Sequence, residues 1–192
     1  NVLMFDQRNH GDSSCPSGRY FAGTREWEDI NTVIDWLIDT KKIETKNIGI
    51  HAVSGGTLAT QFLMVERGDI PAFSLDSPVF DFEEIVKSEL RWNGIPPIIW
   101  RLAVFMGKLH GIDIYARSPK EGIQKIGDRA LMVMHGTDDT RVPFLHSERL
   151  VKFASYFGKE VKFIVNYNSD HNEALLKEPE IIRKNLIEFF EK

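Results

Sequence analysis

Hydrophobic and polar positions follow two rhythms along this chain. Short apolar runs at Ile48-Gly49-Ile50, Ala72-Phe73-Ser74-Leu75, Ala130-Leu131-Met132-Val133-Met134 and Val161-Lys162-Phe163-Ile164-Val165 have the length and content of buried strands. A further strand is predicted at Val2-Leu3-Met4-Phe5. Between these runs the spacing changes. Trp27, Ile30, Val33, Ile34 and Leu37 recur with a helical period, with Glu26 and Glu28 near the start and Lys41 and Lys42 beyond the end, the charge order that suits a helix dipole. A second helix is predicted to follow Ser54 and stop near Gly68, and a third to run from about Pro143 to Gly158, both glycines suiting a C-terminal cap. The last helix should run from about Glu180 to the end, with Ile182, Leu186, Phe189 and Phe190 as its buried stripe. Strands alternating with helices predict an α/β fold, a mostly parallel sheet with helices on both faces, built as one domain over residues 1–192.

One interval breaks the alternation. More than fifty residues separate Leu75 from Ala130, far beyond what a crossover needs. That stretch holds Trp92, Ile95, Ile98, Ile99, Trp100, Leu102, Val104, Phe105 and Met106, an apolar set suited to covering a pocket. We expect a small helical cap over approximately residues 82–127. Pro96, Pro97 and Arg101 interrupt its most apolar part, which is also too short to cross a bilayer as a helix, so no membrane span is expected.

The junction between the first internal strand and its helix carries the chemistry. Ala52-Val53-Ser54-Gly55-Gly56 places a serine among small residues where a strand turns sharply into a helix, a turn that strains the backbone and exposes the hydroxyl. A serine hydroxyl is a poor nucleophile until a base takes its proton, and the base needs a carboxylate to orient it. Asp139, in His135-Gly136-Thr137-Asp138-Asp139, follows the Ala130–Met134 run; His171, in Asn168-Ser169-Asp170-His171-Asn172, follows the Val161–Val165 run. Both fall where ligand-binding loops gather in a parallel sheet. Asp138 and Asp76, the latter at another strand end, are rivals for the acid, and His171 could instead cap a helix beginning at Asn172. His51 and His135 lie on strands and read as satisfied interior or loop histidines, and His10, His110 and His146 show no partner pattern. No His-x-x-x-His or Cys-x-x-Cys spacing occurs, so neither a metal site nor a cofactor is expected.

The order Ser, Asp, His with a serine elbow resembles the α/β-hydrolase superfamily, within it the small carboxylesterase-like and prolyl-peptidase-like hydrolases. Asp6-Gln7-Arg8-Asn9-His10-Gly11-Asp12-Ser13 is similar to the family's Asp-x-Arg-x-x-Gly-x-Ser strand end, so the matching motifs run from residue 2 to about 172. Ala52 stands where the family's elbow has its first glycine. The resemblance implies a serine esterase acting on a small-molecule ester of short or medium acyl chain, with Ser54 as nucleophile, His171 as base, Asp139 as acid and the Gly55 amide in the oxyanion hole. It also implies strands ahead of residue 2, one of which supplies a second oxyanion donor. No such segment is present and the chain does not begin with methionine, which suggests a fragment or a processed product. Losing one oxyanion donor costs roughly two to three orders of magnitude in turnover. A noncatalytic or truncated binding module is therefore the alternative. Asp6 and Arg8 read as a structural ion pair or loop clamp near the sheet edge.

Composition narrows the setting. The chain's 192 residues, 42% hydrophobic and 27% charged, suit one globular core, and a net charge of −4 with scattered basic residues speaks against nucleic acid as a partner. The single cysteine, Cys15, cannot form an internal disulfide, and no signal pattern opens the chain; both favour a cytoplasmic setting.

Overall fold

The computed structural model describes residues 1–15 and 18–191. Four parallel strands, β1 (Gly49–Val53), β2 (Ala72–Asp76), β3 (Ala130–Gly136) and β4 (Lys162–Asn166), lie side by side in sequence order. Their register aligns the C-terminal ends: Val53 faces Asp76, Asp76 faces Met134, and Met134 faces Ile164. Each crossover carries helix, as parallel pairing demands. Helix α1 (Glu26–Asp39) precedes β1, α2 (Gly56–Glu66) joins β1 to β2, α6 (Leu145–Tyr156) joins β3 to β4, and α7 (Ala174–Lys177) and α8 (Pro179–Phe190) close the chain.

The sheet is covered on both faces because its side chains alternate. Leu131 and Val133 of β3 join a core with Ile30 and Ile34 of α1, Leu63 and Met64 of α2 and Leu150 of α6. Met132 and Met134, one residue out of phase, join a second core with Ala174, Ile182 and Phe189. Period-two alternation thus divides one strand between two sets of helices.

The long interval between β2 and β3 contains α3 (Phe82–Trp92), a short 3-10 turn (Pro97–Ile99), α4 (Trp100–Leu109) and α5 (Pro119–Gln124). Asp81 caps α3, its side chain accepting the Glu83 and Glu84 amides. The α5 helix packs against the body: a Cβ at Gly122 would overlap the Gln61 carbonyl oxygen of α2, so only glycine permits that crossing. By contrast α4 turns Leu102, Phe105, Met106 and Leu109 to solvent.

Three expectations are corrected. Residues 2–5 do not form a strand; they are exposed, and β1 is bonded only to β2, which leaves the run no partner strand among the described residues. An apolar run alone does not make a strand, because the ladder must be completed by a neighbour. Arg8 does not pair with Asp6. It holds Asp29 through a two-nitrogen grip (Nη2–Oδ1 2.7 Å, Nε–Oδ1 2.9 Å) and reaches Glu28, while Asp6 accepts the Asp12 amide. The result is a clamp between the N-terminal loop and α1. In α8, Ile182 and Phe189 are buried, but Leu186 is only partly so and Phe190 is exposed at the margin, its ring lying over Gly49. Cys15 is free and exposed; Pro16, Ser17 and Lys192, which belong to the predicted loop and last helix, lie outside the described residues.

Candidate active site

Ser54 sits at the first residue beyond β1 with φ of +51°, a left-handed conformation that costs a non-glycine residue strain. Surrounding bonds hold it there. Its amide donates to the Asp76 carbonyl at 2.8 Å, and its carbonyl accepts the Thr57 amide at 2.9 Å as α2 begins. Thr57 and Gln61 then tie the start of α2 to Val79, beyond β2. The turn is crowded: a Cβ at Gly55 would stand 2.9 Å from the Tyr20 hydroxyl, which donates to the Gly55 carbonyl at 2.8 Å. Burial raises the Tyr20 phenol above its ordinary range, so it remains a donor.

The loops after β3 and β4 are joined to one another. The Asp138 amide donates to the Ser169 carbonyl at 3.1 Å, and Asp170 Oδ1 accepts the Thr140 amide at 2.8 Å and the His171 amide at 2.7 Å. Gly136 permits the approach, because a Cβ there would overlap the Ser169 carbonyl oxygen. As a result His171 Nε2 lies 2.9 Å from Ser54 Oγ and His171 Nδ1 lies 2.7 Å from Asp139 Oδ2. Residues 117 and 32 positions apart in sequence thus form one hydrogen-bonded line. His171 does not cap a helix, since α7 starts only at Ala174.

Asp139 is enclosed by donors. Oδ1 accepts the amides of Arg141 (3.0 Å) and Val142 (2.7 Å), Oδ2 accepts His171, and His135 Nε2 lies 3.1 Å from Oδ2. Burial pushes this carboxyl up, but hydrogen bonds from His135, His171 and the Val142 amide outweigh it and hold Asp139 well below the usual carboxylate range. It is therefore ionised at neutral pH. The rivals differ. Asp138 is exposed and accepts the Thr137 hydroxyl. Asp76 is buried, and that burial raises its carboxyl above the ordinary range; its closest side-chain bond is the Ser77 hydroxyl at 3.4 Å.

The remaining histidines sit apart from this line, except one. His51 contacts the Ser74 hydroxyl, His10 the Arg8 carbonyl and His110 the Met106 carbonyl. His146 accepts the Phe80 and Asp81 amides. His135 is satisfied in the interior, as its strand position predicts, yet its Nε2 also lies 3.1 Å from Asp139 Oδ2. The four-residue interval from His135 to Asp139 across a tight turn was the available signal. Tyr20 and Glu26 carried none: Glu26 reads as a solvated helix-start acid but is buried, accepting the Phe21 amide at 2.7 Å and so fixing the segment that delivers Tyr20. Among the described residues no cluster of His, Cys, Asp or Glu could hold a metal ion, and no helix is long and apolar enough to cross a membrane.

A strained serine between strand and helix, with its neighbours on the loops after the last two parallel strands, defines an α/β-hydrolase. The family model of the prolyl oligopeptidase family matches residues 9–192, and the chain belongs to that family of serine hydrolases. Solved structures share the fold. The Pyrococcus furiosus esterase Pf2001 is 21% identical with a TM-score of 0.78 over 100% of this chain and 70% of its own. Pyrococcus horikoshii acylaminoacyl peptidase is 19% identical with a TM-score of 0.68, over 88% of this chain but only 28% of its own. The α/β hydrolase GrgF from Penicillium sp. sh18 is 14% identical with a TM-score of 0.72, over 96% of this chain and 77% of its own. None of the curated proteins matches the sequence.

Proposed function

We propose that this chain cleaves carboxylic esters of short or medium acyl length through an acyl-enzyme, with Ser54, His171 and Asp139 as nucleophile, base and orienting acid. The observation that carries this reading is the pair of bonds at 2.9 and 2.7 Å joining the three side chains at a left-handed turn. His171 Nε2 takes the Ser54 proton as Oγ attacks the ester carbonyl; Asp139 keeps the Nδ1–H tautomer and stabilises the imidazolium. The Gly55 amide, one of the donors a helix start leaves free, faces the tetrahedral oxygen. His171 then protonates the departing alcohol, and water, activated by the same imidazole, releases the acid. No cofactor enters these steps. The apolar side chains around Trp100 support a cap that walls the acyl or alcohol pocket, and a small-molecule ester is the partner this requires.

A peptidase reading is favoured by the family itself, since an amide carbonyl can be attacked by the same three groups. Intact-mass analysis after a fluorophosphonate probe, with Ser54→Ala as control, tests the mechanism; p-nitrophenyl esters and aminoacyl p-nitroanilides then separate the two substrates. Labelling that depends on Ser54, with faster turnover of esters, is expected. A folded chain that stays unlabelled would instead be a noncatalytic binding module.

A further inference from the structure

We propose that His135 is a positioning residue for the acid, a second imidazole that holds the outer oxygen of Asp139 opposite His171; this rests on the triad reading above. His135 is fully buried near the end of β3. Its Nε2 lies 2.8 Å from the Val142 carbonyl oxygen and 3.1 Å from Asp139 Oδ2. Both are acceptors, the second an ionised carboxylate, so Nε2 must carry the proton. The other nitrogen, Nδ1, then has only a lone pair, and at 2.6 Å it receives the Ser147 hydroxyl from α6. One tautomer of the imidazole, with the proton on Nε2, suits all three groups. The hydrogen bonds therefore run in one direction from Ser147 through His135 to Asp139.

The consequence for the site lies in how Asp139 shares its charge. With four donors, two amides on Oδ1 and two imidazoles on Oδ2, the carboxylate cannot turn about its last bond, and part of its charge is spent on His135. Without His135, His171 would be the sole donor to Oδ2. The imidazolium would be held more tightly, and the two amides on Oδ1 would be the carboxylate's only other anchors. Other titrating groups face this network from the packed elements: Asp76 from β2 and His146 from α6, besides Asp139 and His171 on their loops. Neither Asp76 nor His146 is hydrogen-bonded to Asp139, so replacing His135 isolates the bond in question.

Two measurements test this. In the wild-type protein, nitrogen-15 histidine spectra should show His135 protonated on Nε2; a ring protonated on Nδ1 alone would overturn the proposal without any variant. In kinetics on a soluble ester, His135→Gln, whose amide can still donate to Asp139, should keep the wild-type pH profile and lose less than about tenfold in kcat. His135→Phe should lose about ten- to a hundredfold in kcat with KM little changed, and the acidic limb of kcat/KM should move up by about half to one pH unit. An unmoved limb in folded His135→Phe, or a Gln variant that behaves like Phe, would reduce His135 to packing. Should fluorophosphonate leave the wild type unlabelled, the triad reading fails first, and the tautomer still reports on His135 separately.

Discussion

The Ser54 amide donates to the backbone carbonyl of Asp76 at 2.8 Å, fastening the strained turn to the neighbouring strand end. The main chain of Asp76 therefore supports the Ser54 turn while its carboxyl, raised by burial, has no bond to His171. Asp76→Asn should leave kcat/KM within about threefold of wild type, whereas Asp139→Asn should cut it by about 10⁴ by forcing the wrong imidazole tautomer. Steady-state kinetics of the two variants decides the matter; the reverse ranking would move the acid to β2.

His146 makes stability depend on mildly acidic pH. Burial lowers it from the usual 6.5 to about 4, and its Nδ1 already accepts the Phe80 and Asp81 amides, an arrangement a protonated ring cannot keep. Its folded-state value is depressed below the unfolded one. The neutral ring's contribution is thus complete above pH 6.5 and is lost as pH falls towards 4, by about 3 kcal/mol at most. Asp76 works in the opposite direction, since a raised carboxyl favours the folded state as pH falls. Asp139, whose folded value is depressed, adds its own loss only below about pH 4. Urea denaturation at pH 7 and 4.5 should show a smaller difference for His146→Gln than for wild type; an unchanged difference would place the sensitivity elsewhere.

Two glycines should respond oppositely to the same substitution. Gly122→Ala drives a methyl into the Gln61 backbone of α2 and should lower stability by about 1–3 kcal/mol or more. At Gly68 an added Cβ meets nothing within 4 Å and the backbone is not left-handed, so Gly68→Ala should be neutral or stabilise by up to about 1 kcal/mol. Thermal melts of both variants provide the comparison, and equal effects would contradict the close packing of α5 on α2.

Trp100 begins α4 half-buried, with Lys87 and Arg101 each about 5.5 Å from its ring centre. Trp100→Ala should alter acyl-chain preference and spare hydrolysis of an acetyl ester. A panel of p-nitrophenyl esters from C2 to C12 measures this; equal losses at every length would make the residue mere packing.

Much of this site is legible in the sequence because its parts are local. The elbow is written in five consecutive residues, and Asp139 and His171 each follow a strand-like run that the structure turns into β3 or β4. What is not legible depends on distant partners. Val2–Phe5 has a strand's pattern, but pairing decides the outcome. Arg8 reaches residues 20 and 21 positions away rather than its near neighbour Asp6. Tyr20 is an unremarked residue in a loop until Glu26 fixes the adjacent amide and the missing side chain of Gly55 makes room for the phenol.

Among the described residues β1 is bonded on one side only, and its other side runs along Gly49–Val53 to the residue before Ser54. Within that described sheet the Ser54 turn is therefore braced from β2 alone, through its amide on the Asp76 carbonyl, and any shift of β2 along β1 would be passed directly to the serine hydroxyl.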